Sequence, residues 1–234
     1  MLHIHKHNDR GIANHGWLQS NHSFSFGSYY NPEQMGFGPL RVINEDHVLP
    51  AKGFGTHGHK NMEIITYVLS GALEHRDSIG NGSVIRYGDV QRMSAGTGVQ
   101  HSEFNHSADI GVHFLQIWIE PNVNDIAPSY EEKHFETESK HGRLLLIGSA
   151  DGRDNSVLIH QDVNLYASIL NENDASIDYV LANKRTAYVH IIKGQVDIND
   201  QALSTGDALK VKDLSLLTFS NGKNAELLLF DLPY

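Results

Sequence analysis

The sequence predicts an all-β chain built as two barrels in tandem, with few and short helices. Three observations point there. Short β-like runs recur at residues 63–69, 84–87, 114–119, 144–147, 188–192 and 227–230. Gly and Asn turns punctuate them: Gly80-Asn81-Gly82, Gly88-Asp89, Asp151-Gly152, Asn199-Asp200 and Gly206-Asp207. Many short strands between regular turns read as a sandwich or barrel. No long stretch keeps a helical period, although residues 130–140 are expected to hold a short helix.

The doubling is read from an internal match. Tyr67-Val68-Leu69-Ser70-Gly71-Ala72-Leu73 parallels His190-Ile191-Ile192-Lys193-Gly194-Gln195-Val196, and Tyr87-Gly88-Asp89-Val90 parallels Thr205-Gly206-Asp207-Ala208. Two matches in the same order indicate duplication of one barrel. Residues 121–142, polar and carrying Pro121 and Pro128, read as the linker. The expected domains are residues 1–130, a metal-binding barrel, and residues 131–234, a degenerate barrel without metal ligands.

Composition narrows the function. The chain has 234 residues and a formal charge of -10, with 28 Asp and Glu against 18 Lys and Arg. That balance argues against nucleic acid or an anionic membrane surface as a partner. With no cysteine, disulfides and thiolate metal sites are impossible. Residues 1–17 are polar and His-rich, unlike a signal peptide, and no apolar run approaches the ~20 residues of a spanning helix. A cytoplasmic, monomeric protein is expected.

Histidine is the unusual residue, with 16 in the chain. Strand parity sorts them, because residues two apart on a strand point to one face. In Gly55-Thr56-His57-Gly58-His59 the two imidazoles project together, and so do His101 and Glu103 in Gln100-His101-Ser102-Glu103. If the segments face each other in a barrel, three imidazoles and one carboxylate converge, a donor set suited to iron, nickel, copper, zinc or manganese. His3-x-His5-x-His7 has the same parity, but it lies at a terminus with no HxE segment beside it and reads as an exposed strand. Glu63 also shares parity with His57 and His59; it is expected to orient a ligand or to be structural.

The motif order is HxH, strand, Gly71, strand, Gly88-Asp89, strand, a Gly-rich turn, then HxE. It resembles the cupin pattern. Asn14-His15-Gly16-Trp17, Phe24-Ser25-Phe26, Gly36-Phe37-Gly38, Leu40-Arg41-Val42, Gly53-Phe54-Gly55-Thr56-His57-Gly58-His59 and Met93-Ser94-Ala95-Gly96-Thr97-Gly98-Val99-Gln100-His101-Ser102-Glu103 together look like the pirin family. So does the ending Leu228-Leu229-Phe230-Asp231-Leu232-Pro233. The resemblance is dense in the first lobe and loose in the second. It implies two cupin barrels, with the carboxylate supplied by HxE and so by Glu103.

In the second lobe, the offsets from Gly71 to the HxH pair land on Val180 and Ala182 when taken from Gly194. Those from Gly88 to the HxE pair land on Phe219 and Asn221 when taken from Gly206. Beyond the linker, in residues 143–234, the histidines are His160 and His190, so one metal per chain is expected. Other motifs are absent: Gly96-x-Gly98 is no dinucleotide loop, and there is no HExxH, Walker loop or GxSxG elbow. The aromatic segment Trp17, Phe24, Phe26, Tyr29 and Tyr30 is expected to serve packing rather than ligand stacking.

Similarity to bacterial pirin-like proteins implies quercetin 2,3-dioxygenase activity, with a flavonol and O2 as reactants and carbon monoxide released. His57, His59, His101 and Glu103 would hold one divalent ion, Fe(II) first, with nickel, copper, zinc, manganese or cobalt as alternatives. Glu103 would also take the flavonol hydroxyl proton. The resemblance implies a different class as well: a metal-dependent, redox-sensitive regulator that binds another protein. A cupin isomerase or other metal-dependent enzyme would share the site.

Overall fold

The computed structural model describes residues 1–234 as strands joined by turns, with three 3-10 turns as the only helical segments. In chain order the strands begin β1 (Leu2–His5), β2 (Gly11–Asn14), β3 (Leu18–His22), β4 (Leu40–Val48), β5 (Gly53–His59), β6 (Glu63–Ser70) and β7 (Ala72–Asp77). Next come β8 (Gly82–Arg86), β9 (Asp89–Ser94), β10 (Val99–Asn105), β11 (Val112–Ile119), β12 (Ser129–His134), β13 (Leu145–Ser149) and β14 (Val157–Leu158). The last are β15 (Asn164–Leu170), β16 (Ile177–Val180), β17 (Arg185–Ile198), β18 (Gln201–Ser204), β19 (Ala208–Val211) and β20 (Leu216–Pro233). They form two compact units: residues 11–134 with 157–161, and residues 1–10 with 135–156 and 162–234.

The first unit pairs a seven-stranded sheet, β12-β9-β6-β11-β4-β3-β2, with a four-stranded sheet, β5-β10-β7-β8. All its pairings are antiparallel. Alternation selects the inner face, as in β10, where Val99, His101, Glu103 and Asn105 are buried and Gln100 and Phe104 exposed. Leu18, Val48, Val68, Leu73, Ile85, Val112 and Phe114 pack as an apolar cluster, and Ile64, Met93, Ala95 and Val99 form another.

Register then puts an unusual row on the inner face of the larger sheet. His22 pairs with Asn44, Asn44 with Gln116, Gln116 with Thr66, and Thr66 with Gln91. Five polar side chains thus run across five adjacent strands, and all five are buried. Beside this row Ser20 pairs with Asp46. Burying polar groups opposes folding unless they find partners, so such a row is a cost that packing alone does not explain.

In the second unit β1-β19-β17-β20-β15-β13 run side by side, with β16 beside β20 and β18 beside β17. Its interior is apolar, including Val189, Ile191, Leu209, Phe219, Leu227 and Leu229. Its buried charges are paired, with Lys140 Nζ 3.1 Å and Lys193 Nζ 3.2 Å from the Glu226 carboxylate. The two Gly turns matched in sequence share a conformation: φ is 78° at Gly71 and 74° at Gly194. A Cβ would come within 2.6 Å of Gly111 O at the first and 2.3 Å of Asn224 O at the second. Both positions require glycine twice over, by backbone conformation and by space.

Several sequence expectations need correction. The boundary near residue 130 is interleaved, because Leu2–His5 pairs in full register with β19 and Lys6 Nζ reaches Asp207 at 2.9 Å. The His3-x-His5-x-His7 segment is therefore anchored, with His5 buried. The expected linker and short helix at 121–142 contain strand β12 and the 3-10 turn Thr137–Lys140. β12 is polar because it is an edge strand, tied to β9 by Arg92–Glu131 at 3.2 Å and His134–Asp89 at 2.7 Å. His160 belongs to the first unit rather than the second.

Candidate metal centre

His57 and His59 sit on β5 and His101 on the adjacent β10, where His101 is the register partner of His57. His101 Nε2 lies 3.0 Å from His59 Nε2 and 3.0 Å from His57 Nε2. Three imidazole nitrogens converging this closely oppose their lone pairs wherever neither a proton nor a cation lies between them. Nitrogens ~2.1 Å from an ion and a right angle apart sit ~3.0 Å from each other, the spacing of neighbouring corners in five- or six-fold coordination. The donors therefore fit one divalent transition ion with positions left open.

The protonation states agree. Burial, with the neighbouring imidazoles His101 and His57, lowers His59 to about 4. Burial, with His57 and His75, lowers His101 to about 3. Both rings are thus neutral near pH 7, and metal binding displaces no proton from either. His57 lies 2.8 Å from Gly55 O through Nδ1; a proton there donates to the carbonyl and leaves Nε2 as the acceptor toward the cluster.

Glu103 is placed differently. It lines the same cavity, but its oxygens have other partners. Gln116 Nε2 donates to Oε2 at 2.7 Å, and Thr66 Oγ1 donates to Oε1 at 3.3 Å. Its carboxylate groups with His75 and His101, all within 4.8 Å of one another, separately from the cluster of His57, His59 and His101. The irregularity between His101 and Glu103 shifts the β5 register there, pairing Glu103 with Phe54. The structure thus brings the three histidines together and holds the carboxylate beside them.

Glu63 does not orient a ligand. Asn61, at φ 49°, turns the chain between β5 and β6, so Glu63 enters the other sheet despite matching parity. Its Oε2 accepts from Ser94 Oγ at 2.9 Å and His160 N at 3.1 Å, and lies 3.1 Å from His160 Nδ1.

The cluster opens on a cavity of about 350 Å³, within the range of small-ligand sites. One part of its lining is apolar: Leu18, Phe26, Phe54, Ile64 and Trp118. Trp118 stands edge-on to His59, with centroids 5.0 Å apart, and Phe26 edge-on to Trp118 at 5.4 Å. The aromatic segment thus divides, with Phe24 in the core and Phe26 on the cavity. The other part is the polar face: Ser20, His22, Asn44, Asp46 and Gln116. Burial pushes the Asp46 carboxyl up to about 7, Ser20's hydrogen bond opposing and the Glu103 and Glu45 charges adding.

Sequence reasoning missed Asn44, Asp46, Gln116, Trp118 and His75. His75 is buried on β7 as the register partner of Glu103, with Nε2 3.3 Å from Asp77 Oδ2. The signal for Gln116 was a lone polar residue inside the apolar run Phe114–Ile119, two positions from Trp118.

Comparison with known proteins gives a consistent result. Residues 5–119 match the family model described as Pirin, and residues 146–232 the one described as Quercetinase C-terminal cupin domain. The chain is 46% identical over 233 residues to the quercetin 2,3-dioxygenase of Escherichia coli K12, covering 100% of this chain and 99% of that protein. It is 39% identical over 222 residues to a pirin-like protein of Caulobacter vibrioides, covering 94% and 95%. The crystal structure of the E. coli bacterial pirin YhhW in complex with nickel(II) is similar at a TM-score of 0.95 and 45% identity, covering 100% and 99%.

Proposed function

From the membership of this chain in the pirin family, we propose that it is a metal-dependent dioxygenase that opens the central ring of a flavonol such as quercetin, consuming O2 and releasing carbon monoxide. The observation that carries the reading is the convergence of His57, His59 and His101 at the edge of a half-apolar cavity that also contains Glu103. The activity named for the E. coli relative supports it.

A divalent ion on the three imidazoles would supply Lewis acidity toward a bound oxyanion and a path for electrons to O2. Fe(II) is the first candidate, and nickel, named in the E. coli structure, leads the alternatives of copper, zinc, manganese and cobalt. Imidazole donors bind all of them, so the donor set leaves the choice to geometry and supply.

The chain's own residues divide the remaining work. Glu103 takes the proton of the flavonol 3-hydroxyl, which lets that oxygen bear negative charge. Gln116 and Thr66 hold the carboxylate in one orientation as it does so. Trp118, Phe26 and Ile64 supply the flat apolar surface against which the ring system lies and exclude water from it. Glu103 also joins the ligand set as a fourth donor when its proton is absent.

The test uses untagged protein, stripped of metal and reloaded with each ion in turn. O2 uptake and carbon monoxide release with quercetin are measured together. Equal amounts of O2 consumed and carbon monoxide formed, dependent on the metal, support the proposal. No uptake with any metal overturns it and leaves the regulatory reading, in which the metal state alters binding to a protein partner.

A further inference from the structure

Apart from Gln116, which holds Glu103, the polar face of the cavity has no work in that reaction. Asn44 and Asp46 lie two apart on β4, so both side chains face inward, and each is only 4% exposed. Asn44 Oδ1 and Asp46 Oδ1 have no hydrogen-bond partner. The other contacts here are modest: Ser20 hydrogen-bonds the Asp46 carboxyl, and Gln116, the register partner of Asn44, is committed to Glu103. Two buried oxygens without partners on one cavity wall call for a ligand with hydroxyls, which donate to Asn44 Oδ1 and either donate to the Asp46 carboxylate or accept from its protonated form.

We propose that Asn44 and Asp46 form a hydroxyl-recognition subsite, selecting aromatic substrates that carry hydrogen-bonding hydroxyls besides the metal-directed one. The inference rests on the flavonol reading above and sharpens it. The metal cluster addresses one hydroxyl and its neighbouring carbonyl, which every flavonol shares. The apolar wall of Phe26, Ile64 and Trp118 accepts any flat ring. Discrimination among flat rings therefore falls to the acceptor pair. A site built to receive a hydroxyl rejects an analogue lacking it, because the buried acceptor then stays unpaired.

The alternative is that ordered water fills the two acceptors permanently, in which case they discriminate nothing. The experiment compares quercetin with 3-hydroxyflavone, which keeps the metal-directed hydroxyl and carbonyl and lacks the other hydroxyls. Binding to metal-loaded protein is followed anaerobically by quenching of tryptophan fluorescence, so that turnover does not interfere. Wild type is expected to bind quercetin at least tenfold more tightly. Asn44→Leu, close to isosteric, and Asp46→Leu should each reduce that preference threefold or more while leaving 3-hydroxyflavone affinity within twofold. Asn44→Ala or Asp46→Ala replaces the leucine variant at the same position if that variant does not fold, as judged by its melting transition. Equal wild-type affinity for the two flavonols overturns the subsite while leaving the flavonol reading intact. A preference that survives in folded variants does the same. Failure of both flavonols to bind overturns the flavonol reading itself, and the subsite with it.

Discussion

Gln116 Nε2 donates to Glu103 Oε2 at 2.7 Å, across the space between the two sheets of the first unit. The bond joins a strand of the larger sheet to the carboxylate of the HxE motif. It branches from a buried polar row that starts at His22, passes through Asn44 and Gln116 and continues to Thr66 and Gln91. Glu103 is thus positioned from the opposite wall and not only by its own strand.

Gln116→Leu keeps the side-chain volume and removes the donor. A hydrogen bond to a charged group contributes roughly 1.5–3 kcal/mol. Turnover should fall about 10- to 100-fold through the loosened base, while metal per chain stays near the wild-type value. Metal analysis beside steady-state kinetics decides it. Loss of metal in proportion to activity would mean that Gln116 supports the ion rather than the base.

Glu103→Gln tests the base directly. General base catalysis contributes ~10²- to 10⁴-fold, so turnover should nearly vanish while the three imidazoles retain most of the metal. Unchanged turnover would remove Glu103 from the chemistry.

Glu63→Gln separates a structural carboxylate from a ligand. Glu63 Oε2 is bonded by Ser94 and the His160 backbone in a buried setting. Weakening that knot should cost about 1–3 kcal/mol, visible as a drop of several degrees in Tm. Metal stoichiometry should not change. A drop in metal content would place Glu63 among the residues that support the centre.

Asp46 predicts a pH dependence of stability in metal-free protein. Burial is the main cause that raises its carboxyl from 3.8 to about 7. Below pH ~4 the group is protonated in folded and unfolded chains alike. From there up to about 7 the unfolded chain gives up the proton while the folded chain keeps it. Stability therefore falls as pH rises through that window, by on the order of 4 kcal/mol. Asp46→Asn lacks this loss, so its Tm advantage over wild type should be larger at pH 8 than at pH 4. A difference independent of pH would contradict the raised value.

Strand parity made much of the centre legible in the sequence. His57 and His59, and His101 and Glu103, share faces because they lie two apart on strands, and a period of two survives without any knowledge of pairing. The parity argument failed at Glu63, where the turn at Asn61 ended one strand and moved the chain to another sheet. It was also silent about β1, whose partner β19 lies at the far end of the chain. β12 was hidden for another reason: an edge strand stabilised by ion pairs has the composition of a linker. The polar row became visible only with the register, because His22, Asn44, Gln116, Thr66 and Gln91 are each a single polar residue on a different strand.

The central claim is that His57, His59 and His101 hold one metal ion in the first unit. It is tested most directly by metal content per chain, measured on untagged wild type and on the single variants His57→Ala, His59→Ala and His101→Ala, each confirmed folded. The account predicts close to one ion per wild-type chain and little metal in every variant. Full occupancy retained in the folded variants, or wild type that takes up no divalent ion when reloaded, would contradict it.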